Sequence, residues 1–133
     1  MPFPGLMFLR QVAQMPMFAD NRCMFIVLTT VPNIAEAESL ASRIVEEKLA
    51  ACVQILPQMT SVYVWEGKVQ KENEHLLLIK TTNEKYSELE AFITSDHSYD
   101  VPEIVAVESV NVAEPYRHWL EEALNGERSP VPN

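Results

Sequence analysis

Between residues 96 and 103 the chain places Asp96, His97, Asp100 and Glu103 on one short stretch. Carboxylate oxygens and a neutral imidazole are the donors that a borderline divalent ion such as zinc, nickel or copper(II) accepts. The spacing matches no high-affinity metal signature, so weak binding is the expectation, set against the plainer reading of a solvated loop with His97 bonded to backbone. No cofactor is required by this arrangement, and a weakly held divalent cation, copper or zinc, is the ion it would take. His75 and His118 stand alone and read as a strand-start surface residue and a helix-face residue. A second constellation is aromatic: Tyr63, Trp65, Tyr99 and Trp119, with Glu66 and Lys68 supplying charge at the edge. Aromatic walls with a few polar groups suit a small organic ligand, and they equally suit the filling of a subunit interface. Met15-Pro16-Met17 offers two thioethers, which in such a segment serve as apolar filler more often than as a copper(I) site.

Signatures of catalysis are missing from the sequence. It has no GxSxG elbow, no HExxH pair, and no phosphate-cradling loop among its three glycines. Cys52 lacks the basic sequence neighbourhood that activates a thiol and reads as a small buried apolar residue. The expectation is a protein that is not an enzyme. Cys23 and Cys52 are far apart, with no CxxC spacing, and suggest neither a disulfide framework nor a structural zinc site. A reducing cytoplasm is the expected compartment.

The balance of nineteen acidic against ten basic residues, a formal charge of -9, repels phosphate backbones and favours cations. Nucleic acid is therefore not an expected partner. No apolar run approaches the length that spans a bilayer, and no membrane partner is expected. At 133 residues, 47% of them hydrophobic, the chain suits one folded domain. Residues 1–23, punctuated by Pro2, Pro4, Gly5 and Pro16, read as an N-terminal extension; residues 24–125 form the domain and 126–133 a C-terminal tail.

Within the domain, the β-branched run 25–30 ended by Pro32 reads as a strand buried on both faces. Asn33 and Glu36 form a capping-box-like pair, and Ile34, Ala37, Leu40, Ala41, Ile44, Val45 and Leu49 recur at helical spacing. A second strand over 51–65 is interrupted at Pro57-Gln58, Glu66-Gly67-Lys68 turns the chain, and 69–82 returns as a third strand whose first half is polar. Asn83 is placed to cap a second helix bearing Tyr86, Leu89, Phe92 and Ile93. A fourth strand is predicted over 104–112, and a last helix from Pro115, stopping at Asn125-Gly126. The order β-α-β-β-α-β plus a helix is an α+β, ferredoxin-like split βαβ plan with a long hairpin. An arm of about 14 residues at ~3.3 Å each reaches about 45 Å, beyond what a small core covers, so the segment around Tyr63 to Trp65 calls for a second subunit.

These blocks in this order resemble the CutA divalent-cation tolerance proteins. Tyr63-Val64-Trp65-Glu66-Gly67-Lys68 is close to that family's Tyr-x-Trp-x-Gly-Lys turn. Thr29-Thr30-Val31-Pro32, Leu49-Ala50-Ala51-Cys52-Val53, Lys80-Thr81-Thr82 and Tyr99-Asp100-Val101-Pro102-Glu103 match further blocks. The resemblance implies a homotrimer in which each hairpin extends a neighbour's sheet, and a role in divalent metal ion (copper) tolerance with weak cation binding. It departs from the family's usual pattern at His97-Ser98-Tyr99, where His-Pro-Tyr is usual. Some members also carry a cysteine in the first strand and a second histidine beside the loop histidine; here those places hold Thr29, Thr30 and Asp96, which argues against a soft copper site. The alternative is a PII-like signalling trimer, similar in fold and plan, with a small-molecule effector, anionic or organic, in an inter-subunit cleft.

Overall fold

The computed structural model describes residues 23–126. The N-terminal extension up to residue 22, including Met15-Pro16-Met17, and the tail beyond residue 126 lie outside the described residues. Five strands and three helices follow in chain order: β1 (Met24–Val31), α1 (Ile34–Glu46), β2 (Cys52–Ile55), β3 (Met59–Trp65), β4 (Lys68–Thr82), α2 (Tyr86–Asp96), β5 (Val105–Glu108) and α3 (Glu114–Leu124). The α+β class read from the sequence is the class observed.

One antiparallel sheet runs β2-β4-β1-β5, and β3 pairs with β4 beyond the end of β2. β1 is central because its two faces are both usable: Val27 and Val31 join the main core while Met24 joins a second cluster. Alternation along the strand makes these opposite faces of the sheet. On the first face α1 and α2 pack Ala37, Leu40, Ile44, Leu89 and Ile93 against Leu77 and Ile79. On the second, α3 lays Leu120 and Leu124 over Met24, with Tyr116 and Trp119 at the margin.

Local chemistry sets most boundaries. Asn33 is extended and its Oδ1 accepts the Glu36 amide at 2.8 Å, a normal N-cap. The reciprocal half of the predicted capping box is not formed, because the Glu36 carboxylate instead accepts from Ser98 Oγ at 2.9 Å. α1 stops before Leu49, since Lys48 turns left-handed at φ 58 and swings Leu49 into the core. The predicted break at Pro57 separates β2 from β3. Glu66 and Gly67, at φ 51 and 76, join Trp65 to Lys68 in a two-residue hairpin with both central residues left-handed, the turn whose twist suits paired strands.

Two boundaries differ from expectation. Asn83 does not cap α2: its amide donates to Cys23 O, a turn follows, and the helix starts at Tyr86 behind Lys85 with no side-chain cap. The Asn83 side-chain Oδ1, the group that would cap, is buried without a hydrogen-bond partner among the described residues. The fourth strand of the sequence reading, 104–112, shrinks to β5: Ser109 bonds the carbonyl of Met24, the first residue of β1, through both its amide and its hydroxyl, and beyond it β1 has no residue left to pair with.

Thr29 is fully buried in β1, and its Oγ1 has no hydrogen-bond partner among the described residues. A buried hydroxyl without a partner costs more than the isosteric methyl that could replace it. Thr29→Val is therefore expected to raise the unfolding free energy by roughly 1 kcal/mol, read by urea denaturation; a loss of stability would mean that this hydroxyl is satisfied.

Candidate functional site

The loop that follows α2 carries most of the residues singled out in the sequence, and His97 is its anchor. Helix α2 ends with the His97 amide bonded to Ile93 O, after which the backbone turns extended at φ -72, ψ 145. The imidazole is completely buried. Nε2 lies 2.7 Å from Thr30 O on β1, and Nδ1 lies 3.0 Å from the Tyr99 amide. The amide can only donate, so Nδ1 accepts, and Nε2 carries the proton given to Thr30 O. Both ring nitrogens are thereby committed to backbone.

Asp96, the adjacent carboxylate, is committed as well, to a two-pronged pair with the Arg43 guanidinium of α1. Asp100 and Glu103 are exposed. Neighbours in sequence thus point to different places, and among the described residues no group of three or more His, Cys, Asp and Glu side chains is close enough to hold a metal ion. His75 Nδ1 lies 2.9 Å from Leu56 O, and His118 pairs with Glu122 on the exposed side of α3.

The aromatic constellation divides. Tyr63, Trp65 and Tyr99 line one cleft of about 500 Å³, between the β3-β4 arm and the loop after α2. Trp119 is elsewhere, packed on Tyr116 at 5.6 Å between ring centres in the α3 cluster. Glu66 and Lys68 sit at the tip of the arm, outside the cleft lining. What completes the cleft is a set that sequence reasoning passed over as a solvated half-strand: Gln70, Glu72 and Glu74. The two-residue turn fixes the register, in which Trp65, Tyr63, Ser61 and Met59 stand opposite Lys68, Gln70, Glu72 and Glu74. Opposed residues share a face, so the aromatic and acidic side chains must meet. That signal was available once the turn residues were assigned.

Tyr99 closes the cleft from the loop side. Its hydroxyl donates to Glu74 Oε2 at 2.9 Å, and its ring leans on the His97 ring at 4.8 Å. Burial, the hydrogen bond to Glu74 and that residue's negative charge together push the Tyr99 phenol far above its usual range. The Tyr63 phenol is raised by its hydrogen bond to Glu72, then by desolvation and the Glu72 charge. Both phenols therefore stay protonated, as donors to carboxylates. An anionic effector, one of the ligand types considered from the sequence, would face two carboxylates here.

Glu74 is only 8% exposed, so the Tyr99 hydroxyl is a partner it cannot readily replace with water. Tyr99→Phe is expected to cost about 1–3 kcal/mol of stability at neutral pH. Because the folded state raises the Tyr99 pKa, this contribution is present below about pH 10 and is lost as pH rises above it, where the unfolded tyrosine ionises and the folded one does not. Denaturation of both proteins from pH 7 to 11 should show the gap narrowing on the alkaline side; a constant gap would exclude the linkage.

With this geometry in view, the similarities to known proteins are specific. The family described as CutA1 divalent ion tolerance protein matches residues 25–123. The chain is 46% identical over 95 residues to the Arabidopsis thaliana protein CutA, chloroplastic, covering 71% of this chain and 52% of that one. It therefore spans about half the length of that plant relative. It is 44% identical over 97 residues to the Thermus thermophilus divalent-cation tolerance protein CutA, covering 73% of this chain and 94% of that one. The crystal structure of CutA1 from Oryza sativa superposes with a TM-score of 0.75 at 41% identity, over 81% of this chain and 96% of that one.

Proposed function

The chain belongs to the CutA1 divalent ion tolerance family, and from that premise we propose that it acts in tolerance of divalent metal ions, copper and zinc among them, as a ferredoxin-like homotrimer that binds cations weakly. A cytoplasmic setting goes with this reading, since Cys23 and Cys52 do not form a disulfide. Its relatives are named as tolerance proteins, and catalysis is not part of the proposal.

The observation that carries the reading is the distribution of donors. A high-affinity site needs several ligands already converged, with soft or imidazole donors for copper. Here the acidic residues outnumber the basic ones by nineteen to ten, while the imidazole of the loop is locked between Thr30 and Tyr99. Exposed carboxylates such as Asp100 and Glu103 offer oxygen ligands with water completing the shell, which gives weak and unselective binding. His97 in this scheme is a structural post that sets the loop bearing them. Titration calorimetry with zinc and copper(II) is expected to give affinities no tighter than micromolar, reduced severalfold by the double change Asp100→Asn, Glu103→Gln. Nanomolar binding abolished by His97→Ala would instead make the imidazole a ligand and overturn the scheme.

Assembly rests on the arm. From Lys68 to Glu74 strand β4 pairs with β3 alone, so both long edges of this two-stranded arm carry unpaired backbone groups. Its aliphatic face exposes Val62, Val64 and Val69, at 61%, 66% and 66%. Isolated two-stranded arms are marginal in water, and exposed apolar edges seek strands to pair with. A trimer in which each arm is taken up by a neighbour's sheet satisfies all three valines and the edges at once. Light scattering should report the mass of three chains at micromolar concentration, and Val64→Asp should shift it toward the monomer. A monodisperse monomer of the unaltered chain would refute the assembly.

A further inference from the structure

The arm has two faces, and only the aliphatic one is needed for assembly. The other carries Tyr63 and Trp65 of β3 on the same face as Glu72 and Glu74 of β4, and it faces the Tyr99 loop rather than solvent alone. We propose that the cleft between this face and the loop is a binding site for a small organic ammonium ion, held between the aromatic faces of Trp65 and Tyr63 and the carboxylates of Glu72 and Glu74.

Three features select that ligand class. The first is size: about 500 Å³ falls within the range of small-molecule sites and exceeds what a bare metal ion requires. The second is charge. Two carboxylates line the cleft with no lysine or arginine among the lining residues; Lys68 shares the face but stands at the tip, opposite Trp65. Glu74 accepts the Tyr99 phenol hydrogen, the neighbouring Glu72 holds the Tyr63 phenol protonated, and each carboxylate keeps further acceptor positions for an N–H or a polarised methyl group. With the hydroxyls turned to these carboxylates, the tyrosines offer their rings and not a charge. The third is the mixture itself. An aromatic face attracts a cation through its quadrupole, and Trp is the best of them; Trp65 is 63% exposed beside the carboxylates and so can close over a ligand. A metal ion has little use for ring faces and demands converging oxygens, and no group of three acidic, His or Cys side chains converges among the described residues. A diffuse alkylammonium charge needs no fixed coordination geometry, only surrounding electron-rich faces and nearby negative charge.

Preorganisation supports the site from behind. Tyr99 is held by the buried His97 ring, by its amide bond to that ring and by Glu74, so the loop wall does not have to be ordered by the ligand.

The test is a contrast between choline chloride and its neutral isostere 3,3-dimethylbutan-1-ol, at constant ionic strength, by titration calorimetry on the unaltered full chain. Choline is expected to bind saturably in the millimolar range, at least tenfold tighter than the alcohol. Glu72→Gln and Tyr63→Leu should each weaken choline about threefold to tenfold, at unchanged circular dichroism. In the Trp119→Phe background Trp65 is the remaining tryptophan, and its fluorescence should follow the same isotherm. Equal binding of choline and the alcohol would make the cleft merely apolar and overturn the proposal. So would choline binding that survives Glu72→Gln and Tyr63→Leu unchanged, or a saturated response to sodium chloride alone. Failure of the zinc and copper(II) titrations would leave the choline contrast untouched, since the two rest on different carboxylates.

Discussion

A single strand is shared by two environments, and the rest of the structure follows from that sharing. β4 runs fifteen residues without a break, from Lys68 at the tip of the arm to Thr82 beside the first residue of β1. Its second half lies between β1 and β2, with Leu77 and Ile79 fully buried; its first half has only β3 beside it. Backbone hydrogen bonding is satisfied on both sides in one half and on one side in the other. The body can therefore hold the arm rigidly in place without covering it. An independent hairpin of the same sequence would be marginal, whereas this one is an outgrowth of a strand already fixed by the core.

The loop after α2 is held with no ladder of its own, and β4 supplies one of its ties. Successive residues are tied to separate elements: Asp96 to Arg43 on α1, the His97 ring to Thr30 on β1, Ser98 to Glu36 on α1, and the Tyr99 hydroxyl to Glu74 on β4. Each tie is modest in water-exposed surroundings, but the His97 ring is wholly excluded from solvent, where breaking its bonds would strand a carbonyl and an amide. The residue with the clearest metal-ligand chemistry in the sequence is spent on architecture. Proline is the family's usual residue at the place of Ser98, and the serine here supplies a hydroxyl to Glu36 in exchange for the lost backbone constraint.

Much of this was legible from residue types and spacing. The stripe Ala37, Leu40, Ala41, Ile44 faces the core as its period requires, Pro57 divides the second strand, and Gly67 sits in the turn. Local rules fixed these because local forces dominate there. They failed where contacts distant in the chain decide: Asn83 is held by its backbone amide on Cys23 O while its side-chain oxygen caps nothing, and the last strand ends where Ser109 meets Met24, the first residue of β1. The candidate site was half readable for the same reason. Tyr63, Trp65 and Tyr99 drew notice as aromatics, but Glu72 and Glu74 looked like a solvated strand because burial of Glu74 depends on Tyr99, twenty-five residues later in the chain. Periodicity cannot report a contact made by a loop folding back.

Division of labour between the two faces of the arm follows from the pleat. Odd and even positions of β4 cannot exchange faces without a slip in register, and the two-residue turn at Glu66-Gly67 forbids the slip. Val64 and Val69 are thereby bound to one side, and Tyr63, Glu72 and Glu74 to the other. A surface that recruits another subunit through aliphatic contact tolerates no buried carboxylate, and a surface that attracts cations gains from several. Keeping them on opposite faces of one rigid arm lets a single hairpin carry both, and it places any cation-binding cleft next to the segment through which subunits would meet. Occupancy of the aromatic face would then bear on the position of the arm, the element that in the proposed trimer would pack against a neighbour.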